Sequence, residues 1–144
     1  MTISFQPSTE TEDINRIRDW QSQDHSKSSG LPHRFWLTGS DDNPLTCKVC
    51  DDLGVVLYLR MDKEGSGLRM HTLFLSDSKE GRKRIAALLG NHFMNFAQQM
   101  AAYGDFIVFE SKSPHLTNFM MLLGFRSAGG NDYCLPLTKL VAAA

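Results

Sequence analysis

Chemistry in this chain can start from a few histidines, one pair of cysteines, a basic cluster, a tyrosine and a glutamate, and each of these has a plain structural alternative. Cys47 and Cys50 have the spacing of half a metal or redox motif. No second pair accompanies them, and residues three apart on a strand point to opposite faces, so they predict no metal site. His92 lies on the apolar face of a long helical pattern and reads as structural. His71 sits in a strand-like run, where a lone histidine is ordinarily packed or solvent-facing. Lys79, Arg82, Lys83 and Arg84 crowd the start of the long helix, where they form an anion-attracting cluster or simply a solvated helix end. Glu110, at the end of an apolar strand, and Tyr133, in a closing hairpin, complete the groups able to move a proton.

The elements that must position these residues are legible from periodicity. Met1 to Pro7 reads as an extended lead-in, and Thr9 with Glu12 has capping-box spacing at the start of a helix whose apolar side is Ile14, Ile17 and Trp20. Gln21 to Gly30 is polar and aperiodic, which predicts a mobile loop. Phe35, Trp36 and Leu37 read as the end of a second helix or as a first strand, and Gly39 to Pro44 as a turn. Leu45, Cys47 and Val49 alternate with Thr46, Lys48 and Cys50, the period of a half-buried strand. After the turn Asp51 to Gly54, Val55 to Met61 predicts the next strand, Asp62 to Gly67 a hairpin loop, and Leu68 to Leu75 the antiparallel partner.

The period then changes to 3.6. Ile85, Leu88, Leu89, His92, Phe93, Phe96 and Met100 share one face of a helix that Gly104 is expected to end. Asp105 to Ser111 contains the continuous apolar run of a central strand. Ser113 and Pro114 are the N-cap and first residue of a short helix with Leu116, Phe119, Met120 and Leu123 on one face, stopped by Gly124. Phe125 to Ala128 and Tyr133 to Leu137 flank Gly129-Gly130-Asn131 as a last hairpin. The phenylalanines at 93, 96, 106, 109 and 119 are read as core.

A chain of 144 residues with 42% hydrophobic content is one domain long and has the apolar surface for a real core. A formal charge of -1 supplies no net field toward nucleic acid or an anionic membrane, so neither is expected as a partner. No window approaches the roughly 20 apolar residues of a membrane helix, and the N-terminus is too polar for a secretory signal. Three cysteines without framework spacing fit a reducing compartment, and the expected location is cytoplasmic.

Three strands in a meander, a long helix, an apolar strand, a short helix ending in Leu123-Gly124-Phe125 and a closing hairpin resemble the GNAT acyl-CoA N-acyltransferase superfamily. Asp51 to Leu59 and Leu73-Phe74-Leu75 carry the resemblance further. It is clearest over 45–137 and looser over 1–44, the N-terminal helices and loop. It implies a single α/β (α+β) domain spanning 1–144: a mixed, mostly antiparallel central sheet flanked by helices, with two parallel strands that splay apart. It also implies acetyl-CoA, or another acyl-CoA, as co-substrate, and a small-molecule or peptide amine as acceptor. The oligomeric state is left open, a homodimer being one option.

Under this resemblance the pantetheine arm pairs with backbone groups of Leu73, Phe74 and Leu75 like an added strand. The pyrophosphate sits on the loop and helix start formed by Lys79, Gly81, Arg82, Lys83, Arg84, Ile85 and Ala86. The sequence departs from the family pattern at several points. Arg84 stands where a loop glycine is usual, Gly81 is displaced, Met120 replaces the usual tyrosine acid, and Arg69 occupies about the position of the usual carboxylate base. His71, on the same strand face as Arg69, is the best replacement base, with Tyr133 and Glu110 as further candidates. Met120 and Met121 are candidates for lining an acyl pocket. Two readings stay open: an N-acetyltransferase, and a noncatalytic domain of the same fold that binds a ligand or a protein.

Overall fold

A computed structural model describes residues 2–23, 31–38, 44–75 and 78–137. The elements are β1 (Ser4–Gln6), α1 (Glu10–Gln23), a 3-10 turn (His33–Trp36), β2 (Leu45–Asp51), β3 (Gly54–Glu64), β4 (Gly67–Phe74), α2 (Lys79–Met100), β5 (Phe106–Glu110), α3 (Pro114–Leu122), β6 (Arg126–Ser127) and β7 (Asp132–Pro136). The strands form one mixed sheet in the order β1-β2-β3-β4-β5-β7-β6. β4 and β5 run parallel, whereas the pairs β1–β2, β2–β3, β5–β7 and β6–β7 are antiparallel. This is the α+β fold with two parallel strands that the resemblance implies.

Two compact units make up the chain, Met1–Met61 with His71–Leu88, and Asp62–Met70 with Leu89–Ala144. In the first, the Thr9 hydroxyl caps α1 by accepting from the Glu12 N–H at 3.3 Å. The return contact comes from Asp13 and not from Glu12, because the Thr9 N–H donates to Asp13 Oδ2 at 2.8 Å. Ile17 of this helix packs with Trp36, Leu37, Tyr58 and Leu73, and Ile14 and Trp20 cover the cluster.

Asp13 lies fully buried on the same side of α1, and it explains a departure from the sequence reading. β2 is not half-buried: Thr46 through Cys50 are all buried, Lys48 among them. An isolated ammonium cannot be buried without a large desolvation cost. Lys48 Nζ donates to Asp13 Oδ1 at 3.2 Å, to Asp13 Oδ2 at 3.1 Å and to Glu12 Oε2 at 3.1 Å. Tyr58 Oη donates to Asp13 Oδ1 at 2.7 Å, and Arg16 Nη1 reaches both Asp13 Oδ1 and Tyr58 Oη. Burial alone raises the Asp13 pKa, but the Thr9 N–H, Tyr58 and Lys48 outweigh it and hold the carboxyl below its ordinary value. Burial likewise lowers the Lys48 pKa, and Asp13 and Glu12 reverse that.

Phe35 and Trp36 form neither a helix end nor a strand. After the extended Pro32, the Phe35 N–H donates to Pro32 O at 3.0 Å and the Leu37 N–H to Arg34 O at 3.1 Å, both i to i+3 closures of a 3-10 turn. Ser8 Oγ then donates to Trp36 O at 2.5 Å, and Thr38 Oγ1 to Thr46 O at 2.9 Å, fixing the turn to its neighbours. The first residues of the loop expected from Gln21 are helical, since α1 continues to Gln23. Its remainder, 24–30, and residues 39–43 of the expected Gly39 to Pro44 turn, lie outside the described residues.

In the second unit the apolar run of β5 is paired on both sides, parallel to β4 through Leu68↔Ile107 and Arg69↔Val108, and antiparallel to β7. Phe109 meets Phe125 edge-on with ring centroids 5.0 Å apart, and Phe93 of α2 lies 5.7 Å from the same ring. Ser113 caps α3 with Pro114 in its first turn, as read, and Gly124 follows it at a φ of 112°. Gly104 does not terminate α2, which ends at Met100. Its lack of a side chain serves close approach: a Cβ there would lie 3.2 Å from the Gly67 backbone and 3.0 Å from Leu68 Cγ. His92 is only half-buried, less enclosed than its place on the apolar face implied.

Candidate functional site

The parallel ladder between β4 and β5 is short. It contains Leu68↔Ile107 and Arg69↔Val108, while β4 itself continues to Phe74. The laddered pairs lie early on β4, at Leu68 and Arg69, and Phe74 lies five residues beyond the second of them. At the far end of β4 the Leu75 N–H donates to Val56 O of β3 at 3.0 Å. Peptide groups of successive strand residues point to opposite sides. Leu75 and Leu73 therefore direct theirs toward β3, and Phe74 and Thr72 direct theirs toward the edge that carries the β5 ladder lower down. Among Leu73, Phe74 and Leu75, it is Phe74 whose backbone faces that edge.

Beyond this strand, α2 starts at Lys79 with Ser78 as its cap. Ser78 Oγ accepts from the Gly81 N–H at 3.0 Å, and Ser78 O accepts from the Arg82 N–H at 2.8 Å. The cap leaves the amides of Lys79 and Glu80 as the helix-start donors it does not take. Gly81 is buried, Lys79, Arg82, Lys83 and Ala86 are exposed, and Ile85 is half-buried. Arg84 has a partner of its own. Its Nε donates to Asp51 Oδ2 at 2.9 Å and its Nη2 to Asp51 Oδ1 at 2.8 Å, a two-pronged pair that ties α2 to the β2–β3 turn. Arg84 is thereby held firmly charged, and Asp51 lies below the ordinary carboxylate range.

His71 projects from β4 in the same unit as this helix start. Its imidazole meets the ring of Phe35 edge-on, with centroids 5.0 Å apart and planes at 87°. The Arg60 guanidinium lies 4.1 Å from the centroid of the same ring, and its Nη1 donates to Phe35 O at 3.1 Å. Neither Phe35 nor Arg60 was picked out from the sequence, because the turn that carries Phe35 has no periodic signal. A further groove of about 550 Å³ at the start of α1 is lined by Ser8, Thr9, Glu10, Arg34 and Thr38 among others, and holds none of the sequence-predicted residues.

Tyr133 and Glu110 belong to the other unit, where Phe109 pairs with Tyr133 and Glu110 with Asp132 across β5 and β7. Arg69, which the resemblance set at about the position of a carboxylate base, is held by two acids. It donates to Glu64 at 2.7 and 3.0 Å and to Asp132 at 3.1 Å twice, and these bonds raise its pKa so that it stays a cation. Met120 is fully buried and Met121 exposed. Burial pushes the Cys47 thiol up to about 12 and raises that of Cys50, so both stay protonated near neutrality. Among the described residues no group of His, Cys, Asp and Glu is arranged to hold a metal ion, and no helix is long and apolar enough to cross a membrane.

No protein-family model matches the sequence, and no curated protein matches it. Solved structures do. The ribosomal-protein-S18-alanine N-acetyltransferase of Escherichia coli superposes with a TM-score of 0.61 at 15% identity, over 94% of this chain and 93% of that one. The fold is GNAT-like. Mutant forms of the spermidine/spermine N-acetyltransferase SpeG of Vibrio cholerae give 0.66 at 10% identity over 99% of both chains. The aminoglycoside 6'-N-acetyltransferase of Enterococcus faecium gives 0.64 at 13% identity, over 95% of this chain and 97% of the other. Identities this low make the GNAT likeness one of fold, extending through the N-terminal region where the sequence resemblance was loosest.

Proposed function

We propose that the chain is an acyl-coenzyme A dependent N-acyltransferase that moves an acetyl group to an amine of a small molecule or peptide. The observation that carries this reading is the β4 strand continuing past a two-pair parallel ladder toward the start of a capped helix. An amide-rich arm extends such a strand edge by main-chain hydrogen bonds, and Phe74 and Thr72 supply the groups for it. Helix-start amides at Lys79 and Glu80, reinforced by the exposed Lys79 and Lys83, suit a diphosphate. Arg84 is better read as a structural tie, since Asp51 occupies its guanidinium. The named acceptors of the solved relatives, which include spermidine, an aminoglycoside and a protein alanine, support an amine as the class.

When bound, the acyl-CoA would supply the acyl group as a thioester, the C–S bond breaking as the amide forms and coenzyme A leaving as a thiol after its sulfur takes a proton. His71 takes the proton that the attacking nitrogen must lose, and Phe35 limits the directions from which that nitrogen arrives. Leu73 and Trp36, both buried, keep water from the base of this strand. A second reading, a noncatalytic ligand-binding or protein-interaction module, draws its support from the commitment of Arg84 to Asp51.

Calorimetry separates the two. Acetyl-CoA titrated into the protein is expected to give a saturable heat with a Kd near or below about 1 μM to 100 μM, roughly -8 to -5.5 kcal/mol. The double charge reversal Lys79→Glu with Lys83→Glu is expected to weaken it by about tenfold, since each removes and inverts a charge near the phosphates. Absence of heat and of any thermal shift at millimolar acetyl-CoA leaves the noncatalytic module as the reading.

A further inference from the structure

We propose that Arg60 is a positioning residue that acts on His71 through Phe35. The inference rests on the reading of His71 as the proton acceptor, and it adds the residues that aim it. One guanidinium holds Phe35 twice: its carbon lies 4.1 Å from the ring centroid, and its Nη1 donates to the Phe35 carbonyl at 3.1 Å. Trp36 closes on the same ring edge-on, with centroids 5.0 Å apart, and is itself buried in the core with Ile17, Tyr58 and Leu73. Phe35 is therefore fixed at its backbone and on its ring. The His71 imidazole meets this ring 5.0 Å away and nearly perpendicular. A base displaced by about 1 Å loses as much as two orders of magnitude in rate, so a rigid partner for the imidazole has a direct chemical consequence.

The arrangement is specific to arginine. Its planar fork stacks on an aromatic face while an edge N–H reaches a carbonyl, and a lysine ammonium is a point charge without that fork. Arg60 is seated for this by β3, where it stands opposite Thr46 of β2. The 3-10 turn brings Phe35 to it from a part of the chain 25 residues away.

The test uses Arg60→Ala, Arg60→Lys, Phe35→Leu and the double variant Arg60→Ala with Phe35→Leu in the full chain. The expected result is a fall in kcat of about tenfold to a hundredfold for Arg60→Ala, with KM for acetyl-CoA unchanged and partial recovery in Arg60→Lys. Because Arg60 acts through Phe35, the double variant is expected to be no slower than the worse single variant. Multiplying effects, or an equal rise in KM, overturn the proposal by showing that Arg60 acts by another route. A second readout needs no turnover. The His71 ring-proton resonances, displaced in the wild type by the Phe35 ring, are expected to shift in Arg60→Ala in the same direction as in Phe35→Leu. Resonances left in place by Arg60→Ala overturn the proposal even in active protein. A wild type without turnover refutes the transferase reading, and the resonances then decide the positioning claim alone.

Discussion

Asp13→Ala is expected to lower the free energy of unfolding by about 3–5 kcal/mol, the usual consequence of removing one partner from a buried charge pair. Asp13 accepts from the Thr9 N–H, Tyr58, Lys48 and Arg16, so its loss strips four donors at once. Lys48, almost fully buried, then keeps only the exposed Glu12 as a carboxylate partner among the described residues. Adding Lys48→Met to Asp13→Ala removes the stranded ammonium, and the double variant is expected to recover part of the loss. Urea unfolding measures both, as a shift in midpoint at constant slope. A loss below about 1 kcal/mol for Asp13→Ala contradicts the assignment of this cluster as a buried, mutually dependent network. The same cluster gives a pH dependence with two signs. The Asp13 pKa is depressed, so its contribution is fully present above the ordinary 3.8 and fades as pH falls through the lower folded value. The Lys48 pKa is raised, so its contribution is present below the ordinary 10.5 and is lost as pH rises through the higher folded value.

His71→Ala is expected to reduce kcat by about a hundredfold or more, within the range that a positioned acid or base contributes, and to leave the Kd for acetyl-CoA unchanged. The separation follows from the strand. The β4 backbone groups that the acyl carrier uses are at Phe74 and Thr72, and truncating a neighbouring side chain leaves them where they are. The Phe35 ring loses one of its edge-on partners, but Arg60 and Trp36 still hold it, so the fold is expected to survive. Stopped-flow or steady-state thiol release with a set of small amines reads the rate, and calorimetry reads the cofactor. Turnover equal to wild type removes His71 from the mechanism. A parallel loss of cofactor affinity assigns it to the structure of the strand instead.

Regular elements were legible wherever a period persisted long enough to set a face. The core side of α2, the doubly paired β5, the Ser113-Pro114 cap and the Gly129-Gly130 hairpin all follow from local rules that tertiary contacts did not override. The misses share a cause, which is that the decisive partner lies far away in sequence. Lys48 alternates with Cys47 and Val49 as an exposed residue would, and only Asp13, 35 residues earlier, makes its burial affordable. Phe35 sits in a 3-10 turn too short to show a period, and its meaning comes from Arg60 and His71 on two different strands. Arg84 stands where the family pattern has a loop glycine, and only Asp51, 33 residues earlier, accounts for its direction. Of the proposed site, the strand, the helix start and His71 could be named as candidates from sequence, whereas Phe35, Arg60 and the register at which the parallel ladder ends could not.

The central claim is that the backbone at the end of β4 receives the pantetheine arm, and amide hydrogen exchange on adding acetyl-CoA tests it most directly. The account predicts that exchange at Phe74 and Thr72 slows by at least about tenfold at saturating acetyl-CoA, while Leu75, whose N–H is already bonded to Val56, changes little. Binding accompanied by unchanged exchange at Phe74 and Thr72 would contradict it.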